Sequence, residues 1–343
     1  MVKMTDVLYR SLMPVSEYFV HAWDESNGVV GNPDFMRDLL NFLHTNRNTH
    51  AIKIIRPCPE DAVYYDSERK AIPKLKAVFG DNFSDWTAYV GYSAYKIAIP
   101  EQVHMSLTDR DHNEKFNGYL YIFILKLCQH DLSRIAFDPI KLLADVGPVL
   151  KALHTNNLTH GNIKANNLVD CGRYKLIDYT QLEHNRKITQ HKTRLFVTEV
   201  MLPKLYLLSK SKQLELDGYN KKTALEMAKK QYSQTNNRYK NIHTIALNQY
   251  NLFSKDVKAA FKLNIFKKND EFAMACVLIE CLKKRFAFEL SYETQLRIEP
   301  LQPVTDKEKH IITTVATVIT KLIGPDLYFE NLVVGGRKRG SKC

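Results

Sequence analysis

Apolar residues recur along the chain in patterns that predict two buried strands and two long helices. Residues 50–55 (HAIKII) and 119–127 (YLYIFILKL) are rich in β-branched and aromatic residues, which is typical of buried strands. Residues 140–154 (IKLLADVGPVLKALH) place leucines and valines at helical spacing and predict one buried helix face. Residues 269–282 (NDEFAMACVLIECL) are apolar almost all round, so this helix is expected to be buried.

Weaker patterns predict a hairpin and two shorter helices. Residues 167–169 and 174–177 read as short apolar strands separated by a turn. Residues 67–78 (SERKAIPKLKAV) have helical spacing, although Pro73 is expected to kink or break that helix. Residues 35–43 (FMRDLLNFL) also look helical.

Three polar side chains flank the hairpin and point to phosphate and metal chemistry. Asn167 and Asp178 offer oxygen ligands suited to Mg²⁺, and the hairpin between them is expected to bring both oxygens to one edge. Lys164, on the loop before the hairpin, is expected to reach the γ-phosphate of a nucleotide. Phosphoryl transfer depends on such positioning and charge neutralisation more than on covalent chemistry.

Residues 158–179 (LTHGNIKANNLVDCGRYKLIDY) resemble the catalytic loop and metal loop of protein kinases, H-R-D-L-x-x-x-N followed by D-F-G. The pattern is most similar to the vaccinia-related kinases, whose H-G-D-I-K-x-x-N and D-Y-G motifs match His160–Lys164 and Asp178–Thr180. Asn162 stands where those kinases carry the catalytic aspartate, which implies impaired or absent phosphotransfer. Gly161 stands where many kinases carry an arginine, so control by a phosphate on the activation loop is not expected.

The resemblance also implies an ATP site in the N-terminal part. Lys53 matches the strand lysine that holds the α- and β-phosphates, and Ala51 is expected to face adenine. Glu68 is the candidate carboxylate partner of Lys53, and Glu60 is its rival. No clear glycine-rich loop precedes Lys53, since the glycines of residues 27–33 (NGVVGNP) fit an ordinary turn as well as a phosphate-covering loop.

Further positions follow from the same resemblance. Residues 126–128 are expected to form the hinge that binds adenine through backbone groups, with Leu125 guarding the pocket and Cys128 and Leu168 as further cofactor contacts. Asp270 resembles the aspartate that braces the catalytic-loop backbone, and as a residue near a helix start it also suits a helix cap.

Most of the excess positive charge lies in one segment. The chain carries 49 Lys and Arg against 37 Asp and Glu, a net charge of +12, and residues 204–268 alone hold 14 basic and 4 acidic residues, which gives +10. Residues 224–232 (ALEMAKKQY) predict an amphipathic helix within this basic insertion. Four lysines are expected to share one side of it: Lys221, Lys222, Lys229 and Lys230. Such a face is suited to bind nucleic acid or an acidic protein, but a face that is only solvated has the same composition. The sequence does not decide between these interpretations.

Cysteine usage and hydropathy bear on location. The six cysteines form no C-x-x-C pair, which favours reduced thiols and an intracellular protein, cytoplasmic or nuclear. They are Cys58, Cys128, Cys171, Cys276, Cys281 and Cys343. The N-terminus does not look like a signal peptide, and no apolar run is long enough to span a bilayer, so no membrane partner is expected. The basic tail at residues 335–343 (GGRKRGSKC) is expected to be flexible.

Taken together, the resemblance implies an α+β, bilobal kinase-like fold with a small β-rich N-lobe at residues 1–127 and a mainly helical C-lobe at residues 128–343. The leading expectation is a protein that binds ATP and Mg²⁺ with impaired phosphotransfer, a pseudokinase scaffold or regulator of a protein partner. One alternative is an active Ser/Thr protein kinase, a transferase acting on a protein substrate. Another is a nucleic-acid-associated protein that uses the basic insertion.

Overall fold

A computed structural model provides the structure of the protein. The residues that it describes are 2–3, 22–24, 28–30, 45, 48–55, 59–98, 119–184, 207, 210–211, 214–215, 218–235, 240–292 and 296–332. Several sequence predictions lie outside them: the helix at 35–43, the glycine at 31, Cys58, Cys343, the tail at 335–343 and the side chain of Glu60.

The chain divides into two compact units. Unit 1 comprises Met1–Asp131 and Val169–Thr180, and unit 2 comprises Leu132–Leu168 and Gln181–Cys343. The lobes expected from the sequence were two continuous segments that met after residue 127. In the structure, Val169–Thr180, which hold all of the hairpin after the candidate catalytic loop except Leu168, belong to unit 1.

Unit 1 is built on a six-stranded antiparallel sheet with strand order β1-β4-β6-β5-β2-β3. Its strands are β1 (Val2–Lys3), β2 (Ala22–Asp24), β3 (Gly28–Val30), β4 (His50–Ile55), β5 (Tyr89–Ala98) and β6 (Tyr119–Lys126). The strands β4 and β6 pair along their length and are the two apolar runs predicted as buried strands. Both strand predictions are confirmed.

One long helix follows β4. Helix α1 spans Pro59–Phe79, and a 3₁₀ turn at Gly80–Asn82 leads into the short helix α2 at Phe83–Trp86. The helix predicted over residues 67–78 is confirmed. Of the kink or break expected at Pro73, the break is wrong, because α1 continues through Pro73, and the kink stays a prediction. Proline removes one backbone hydrogen bond, and the burial of an apolar helix face offsets that loss. The buried face consists of Ala71, Ile72, Leu75 and Phe79.

The predicted hairpin is present in the structure. Strands β8 (Leu168–Asp170) and β9 (Tyr174–Leu176) pair in a two-stranded sheet. Lys175 attaches β9 to the rest of unit 1, since its buried ammonium group donates to the backbone carbonyls of Ser84 at 2.7 Å and Thr87 at 2.8 Å. The contact therefore holds β9, from which the segment with the candidate metal loop continues, against the rest of unit 1.

Unit 2 is mainly helical. Its helices are α3 (Pro139–Thr155), α4 (Lys221–Thr235), α5 (Lys240–Leu252), α6 (Lys255–Leu263), α7 (Ile265–Arg285) and α8 (Asp306–Ile323). Two small antiparallel sheets accompany them, β7 (Leu158–Thr159) with β10 (Glu183–His184) and β11 (Phe288–Tyr292) with β12 (Leu296–Pro300). All three helices predicted for this region are confirmed, and the fold is α+β. Within the described residues, no helix is both long and apolar enough to cross a membrane.

Local sequence explains where two of these helices begin. Asp138 caps α3, and its Oδ1 accepts hydrogen bonds from the backbone N–H groups of Ile140 at 2.8 Å and Lys141 at 3.2 Å. Helix α8 begins with a capping box. The Thr305 hydroxyl accepts a hydrogen bond from the backbone N–H of Glu308, and the Glu308 carboxylate accepts one from the backbone N–H of Thr305. Such caps satisfy N–H groups that the first helical turn leaves without a partner.

Helix α7 forms the centre of unit 2. Residues 265–282 are buried throughout, as its apolar sequence predicts. Two lysines lie inside this core: Lys268 pairs with Glu271 at 2.5 Å, and Lys267 pairs with Glu330 at 2.5 Å. Both lysines had been counted in the charge of the basic insertion. Less of that charge therefore faces solvent than the sequence suggested.

Candidate functional site

Three of the predicted site residues meet in unit 1. Lys53 on β4 places its Nζ 2.5 Å from Oε2 of Glu68 on α1 and 2.9 Å from Oδ1 of Asp178 after β9. The pair expected between Lys53 and Glu68 is present. The Glu68 side chain is 1% exposed, whereas those of Lys53 and Asp178 are each 25% exposed. The group is thus anchored inside the unit on one side and open to solvent on the other.

Two hydroxyl groups hold these carboxylates in place. Tyr89 donates from its phenol to Oε1 of Glu68 at 2.5 Å, so both carboxylate oxygens of Glu68 have a partner. Thr180 donates to Oδ1 of Asp178 at 3.0 Å. Sequence analysis missed both residues. Thr180 stands in the third position of the metal-loop motif, which is a usable signal, but no local pattern marks Tyr89.

The pKa shifts in this group follow from burial and from the two carboxylates. Burial lowers the pKa of Lys53, but the charges of Glu68 and Asp178 outweigh burial, so the pKa is raised and the ammonium group stays charged. Burial and repulsion from Asp178 raise the pKa of Glu68 against the effects of Lys53 and Tyr89. Burial also raises the pKa of Tyr89 well above its usual value, so the phenol remains a donor.

Asp178 adopts a backbone conformation that residues other than glycine rarely use. Its φ of +65° lies in the left-handed region. Asp tolerates this region better than most residues, yet the conformation still carries a cost and persists only where surrounding contacts impose it. The contacts of its carboxylate with Lys53 and Thr180 supply that constraint. Strained residues of this kind cluster at functional sites.

In unit 2, one buried aspartate holds the candidate catalytic loop. Asp270 on α7 accepts backbone N–H hydrogen bonds from His160 at 2.7 Å and Gly161 at 2.8 Å, and its Oδ2 lies 3.3 Å from Nε2 of His154. The predicted bracing contact is therefore present. The alternative of a helix cap is wrong, because α7 begins at Ile265 and Asp270 lies in its second turn. His154 is a further residue that the sequence analysis missed.

The structure explains why position 161 is a glycine. Gly161 has a φ of +77°, and a Cβ atom there would lie 2.9 Å from the backbone oxygen of Gln181. Any larger side chain, such as the arginine that many kinases carry in this motif, would clash with the backbone at this point. The close approach therefore explains why glycine stands where many kinases carry an arginine.

The remaining loop residues are placed by backbone contacts. Asn162 is buried, and its N–H donates to Nδ1 of His160 at 3.2 Å. Asn167 donates from Nδ2 to the backbone oxygen of Asn162 at 2.9 Å, so Oδ1 is the Asn167 atom suited to ligate a cation. Lys164 is half-buried and makes no ion pair with a carboxylate among the described residues.

The base-binding candidates belong to different units. Ala51 and Leu125 are opposite residues of β4 and β6, and both are buried in unit 1. Leu168 is fully buried in unit 2, where its backbone oxygen accepts a hydrogen bond from Leu132 at 2.9 Å. The contact of these residues with adenine stays a prediction.

The expectation of reduced cysteines is wrong for one pair. Cys128, predicted in the hinge, forms a disulfide bond with Cys171 in the turn between β8 and β9. Spacing along the sequence cannot reveal this pair, because 43 positions separate the two residues. Cys276 and Cys281 are free thiols and are buried, in agreement with the prediction.

Helix α4 carries the lysines of the basic insertion. All four predicted lysines are exposed, and the opposite side of the helix packs through Ala224 and Ala228 against Leu214. At about 100° per residue, Lys222 and Lys229 lie nearly in line along the helix, while the other two lysines flank that line on either side. The four therefore cover about half of the helix circumference rather than one row.

No protein-family model matches the chain, and no curated protein matches it. Within the described residues, no group of three or more His, Cys, Asp and Glu side chains is placed to hold a metal ion. Asn167 belongs to unit 2 and Asp178 to unit 1, and their shared role as Mg²⁺ ligands stays a prediction.

Proposed function

We propose that this chain is a kinase-like protein that binds ATP with Mg²⁺ and has weak or absent phosphotransfer, a pseudokinase that acts as a scaffold or regulator. The single observation that carries the proposal is the contact of Lys53 with both Glu68 and Asp178. A strand lysine, a helix glutamate and a metal-loop aspartate are the three charged groups that kinases use on the nucleotide side. The same three residues occupy the matching positions of the kinase motifs that the sequence resembles.

Each residue has a defined part in the proposed complex. Lys53 holds the α- and β-phosphates, and Glu68 keeps its ammonium group in position. Asn167 and Asp178 are the proposed Mg²⁺ ligands, and the ion would neutralise charge on the phosphate oxygens. Lys164 adds positive charge for the γ-phosphate. A bilobal kinase fold, with a hinge at residues 126–128, is part of the same proposal.

The proposal of weak phosphotransfer rests on Asn162. An amide hydrogen-bonds and orients a substrate hydroxyl, but it does not take up the proton as a carboxylate does. General-base assistance contributes about 10²- to 10⁴-fold to a rate. The alternative is an active Ser/Thr kinase of the vaccinia-related type that tolerates the amide.

Nucleotide binding tests the assignment directly. Calorimetry is expected to give Mg²⁺-dependent ATP binding between micromolar and millimolar Kd, which corresponds to about −4 to −8 kcal/mol. Lys53→Ala and Asp178→Ala are each expected to weaken binding at least about tenfold, or about 1.4 kcal/mol, because each removes a charged group at the phosphates. Lys70→Ala, which removes an exposed lysine of α1, is the matched control and is expected to bind as the wild type does.

Two results would contradict this proposal. One is a wild-type protein that shows no heat with ATP and Mg²⁺. The other is binding that neither Lys53→Ala nor Asp178→Ala weakens. Circular dichroism of each variant shows whether it is folded, which separates a lost contact from a lost structure.

A second candidate function is supported by the exposed lysines of α4. These lysines face away from the core and form a positive surface that suits the phosphates of a nucleic acid. Glu226 lies among them, so the charge is not uniform. A platform protein with this surface would bind nucleic acid without using the nucleotide site.

Salt dependence tests this second candidate. Fluorescence anisotropy with single-stranded and duplex oligonucleotides is expected to show affinity that falls steeply with salt, because contact releases counterions. Changing Lys222 and Lys229 to Glu is expected to lower the salt slope by about one per lysine. Changing Lys307 and Lys309, exposed on α8, to Glu alters the net charge equally and is the matched control.

Three outcomes are distinguishable in that experiment. Loss of binding only in the α4 variant supports the surface, and changing all four α4 lysines is then expected to abolish binding. Equal loss in both variants indicates a general charge effect. Binding that survives the α4 changes places the contact elsewhere, with Arg337, Lys338 and Arg339 of the tail as the next residues to change.

A further inference from the structure

The disulfide of unit 1 joins two segments that are far apart in sequence. Cys128 lies two residues after the end of β6, and Cys171 lies one residue after the end of β8. Their Cα atoms are 4.5 Å apart, and both side chains are half-buried, so solvent reaches the pair.

Backbone hydrogen bonds hold the two segments together independently of the sulfur atoms. Gln129 donates from its N–H to the oxygen of Asp170, and Asp170 donates to the oxygen of His130, both at 2.9 Å. Asp131 and Val169 form an antiparallel bridge beside them. Because this short ladder does not depend on the disulfide, reduction is expected to leave the two thiols close together. The bond is therefore able to form again without refolding.

The other described cysteines lie in surroundings that suppress thiol chemistry. Burial raises the pKa of Cys276 well above its usual value and that of Cys281 to about 12. A thiol must be deprotonated and accessible to attack a disulfide. Cys128 and Cys171, by contrast, are only half-buried and are accessible to a small thiol or disulfide.

We propose that Cys128 and Cys171 are a reversible redox site that exchanges with small-molecule disulfides such as glutathione disulfide while the protein stays folded. One protein thiolate attacks the small disulfide, forms a mixed disulfide and releases one small thiolate. The second protein thiolate then attacks the bonded protein sulfur, forms the Cys128–Cys171 bond and releases the second small thiolate. The two protein thiols are oxidised, the small disulfide is reduced, and the two protons pass to the two released thiols.

The bond covalently links the predicted hinge to the hairpin that leads to Asp178. In the oxidised state, the backbone at Cys128 is covalently tied to the turn after β8, and in the reduced state only the ladder holds it. The redox site stands on the contacts of unit 1 alone and does not require that the protein bind a nucleotide.

A glutathione titration of the full-length protein tests this site. The protein is equilibrated at a series of ratios of reduced to oxidised glutathione, starting from both the reduced and the oxidised form, and the free thiols are alkylated after an acid quench. Mass spectrometry of the peptides is expected to show one reversible transition, with the Cys128–Cys171 link more than about tenfold depleted at the reducing end. Near-ultraviolet circular dichroism is expected to show a folded protein throughout. Cys276 and Cys281 are expected to remain free thiols at every ratio.

Single-cysteine variants provide the second measurement. Cys128→Ser and Cys171→Ser each leave one thiol of the pair, which is expected to accumulate as a mixed disulfide with glutathione because no second thiol resolves it. The proposal is overturned if the Cys128–Cys171 link forms at no glutathione ratio. It is also overturned if the link is reduced only in denaturant, or if its reduction unfolds the wild-type protein.

Discussion

Asp270→Asn is expected to lower the free energy of unfolding of unit 2 by about 3–5 kcal/mol. The Asp270 carboxylate is fully buried and accepts hydrogen bonds from two backbone N–H groups, with His154 beside it. Hydrogen bonds to a charged acceptor contribute about 1.5–3 kcal/mol each. An amide of the same shape has only one acceptor oxygen and turns a donor toward a donor, so at least one buried N–H loses its partner.

Denaturant unfolding of the variant gives the change in free energy, and hydrogen exchange locates it. The amide hydrogens of His160 and Gly161 are expected to exchange much faster, because Asp270 is their acceptor. Asp256→Asn, an exposed residue in the first turn of α6, is the matched control and is expected to change the free energy by less than about 0.5 kcal/mol. Unchanged stability together with unchanged exchange at residues 160–161 would contradict the role given to Asp270.

Asn162→Asp is expected to raise phosphotransfer to a generic protein acceptor by at least about tenfold. The carboxylate supplies the proton acceptor that the amide lacks. The backbone of the loop is expected to stay in place, since Asn162 is held through its N–H by His160 and through its carbonyl oxygen by Asn167. Neither contact uses the side chain that is changed.

The comparison is made in a radiometric assay with Mg²⁺ and ATP. Asn162→Asp combined with Asp178→Ala is the control and is expected to lose the gain, because the proposed metal ligand is absent. The proposal of impaired catalysis is contradicted if the wild-type protein turns over robustly and Asn162→Asp leaves that rate unchanged. That result would favour the active Ser/Thr kinase.

Much of the local structure could be predicted from apolar patterns. Two strands, at residues 50–55 and 119–127, and two helices, at residues 140–154 and 269–282, are present as predicted. They could be predicted because each apolar run is long or dense enough to favour either the strand or the helix pattern of buried positions. Pro73 shows where such reasoning fails. The rule that proline ends a helix describes a local cost, and the burial of residues such as Ile72 and Leu75 outweighs it.

The candidate site could also be predicted only in part from the sequence. Motif spacing named Lys53, Asp178 and Asp270, whose roles depend on chemical type and position in a pattern. It could not name Tyr89 or His154, because any residue that packs nearby and offers a suitable atom can fill their places. The sequence likewise counted Lys268 as part of a positive surface, whereas in the structure Lys268 pairs with Glu271 inside the core.

By itself, the sequence determined the strands and helices with clear periodicity, the charge of the chain and the polar residues around the hairpin. These properties follow from the order of neighbouring residues. The tertiary structure alone decided that Lys53 also contacts Asp178, that Gly161 is required beside Gln181, and that Cys128 bonds with Cys171. Each of these depends on which distant segments the packing of apolar faces brings together, and short-range patterns carry no information about that choice.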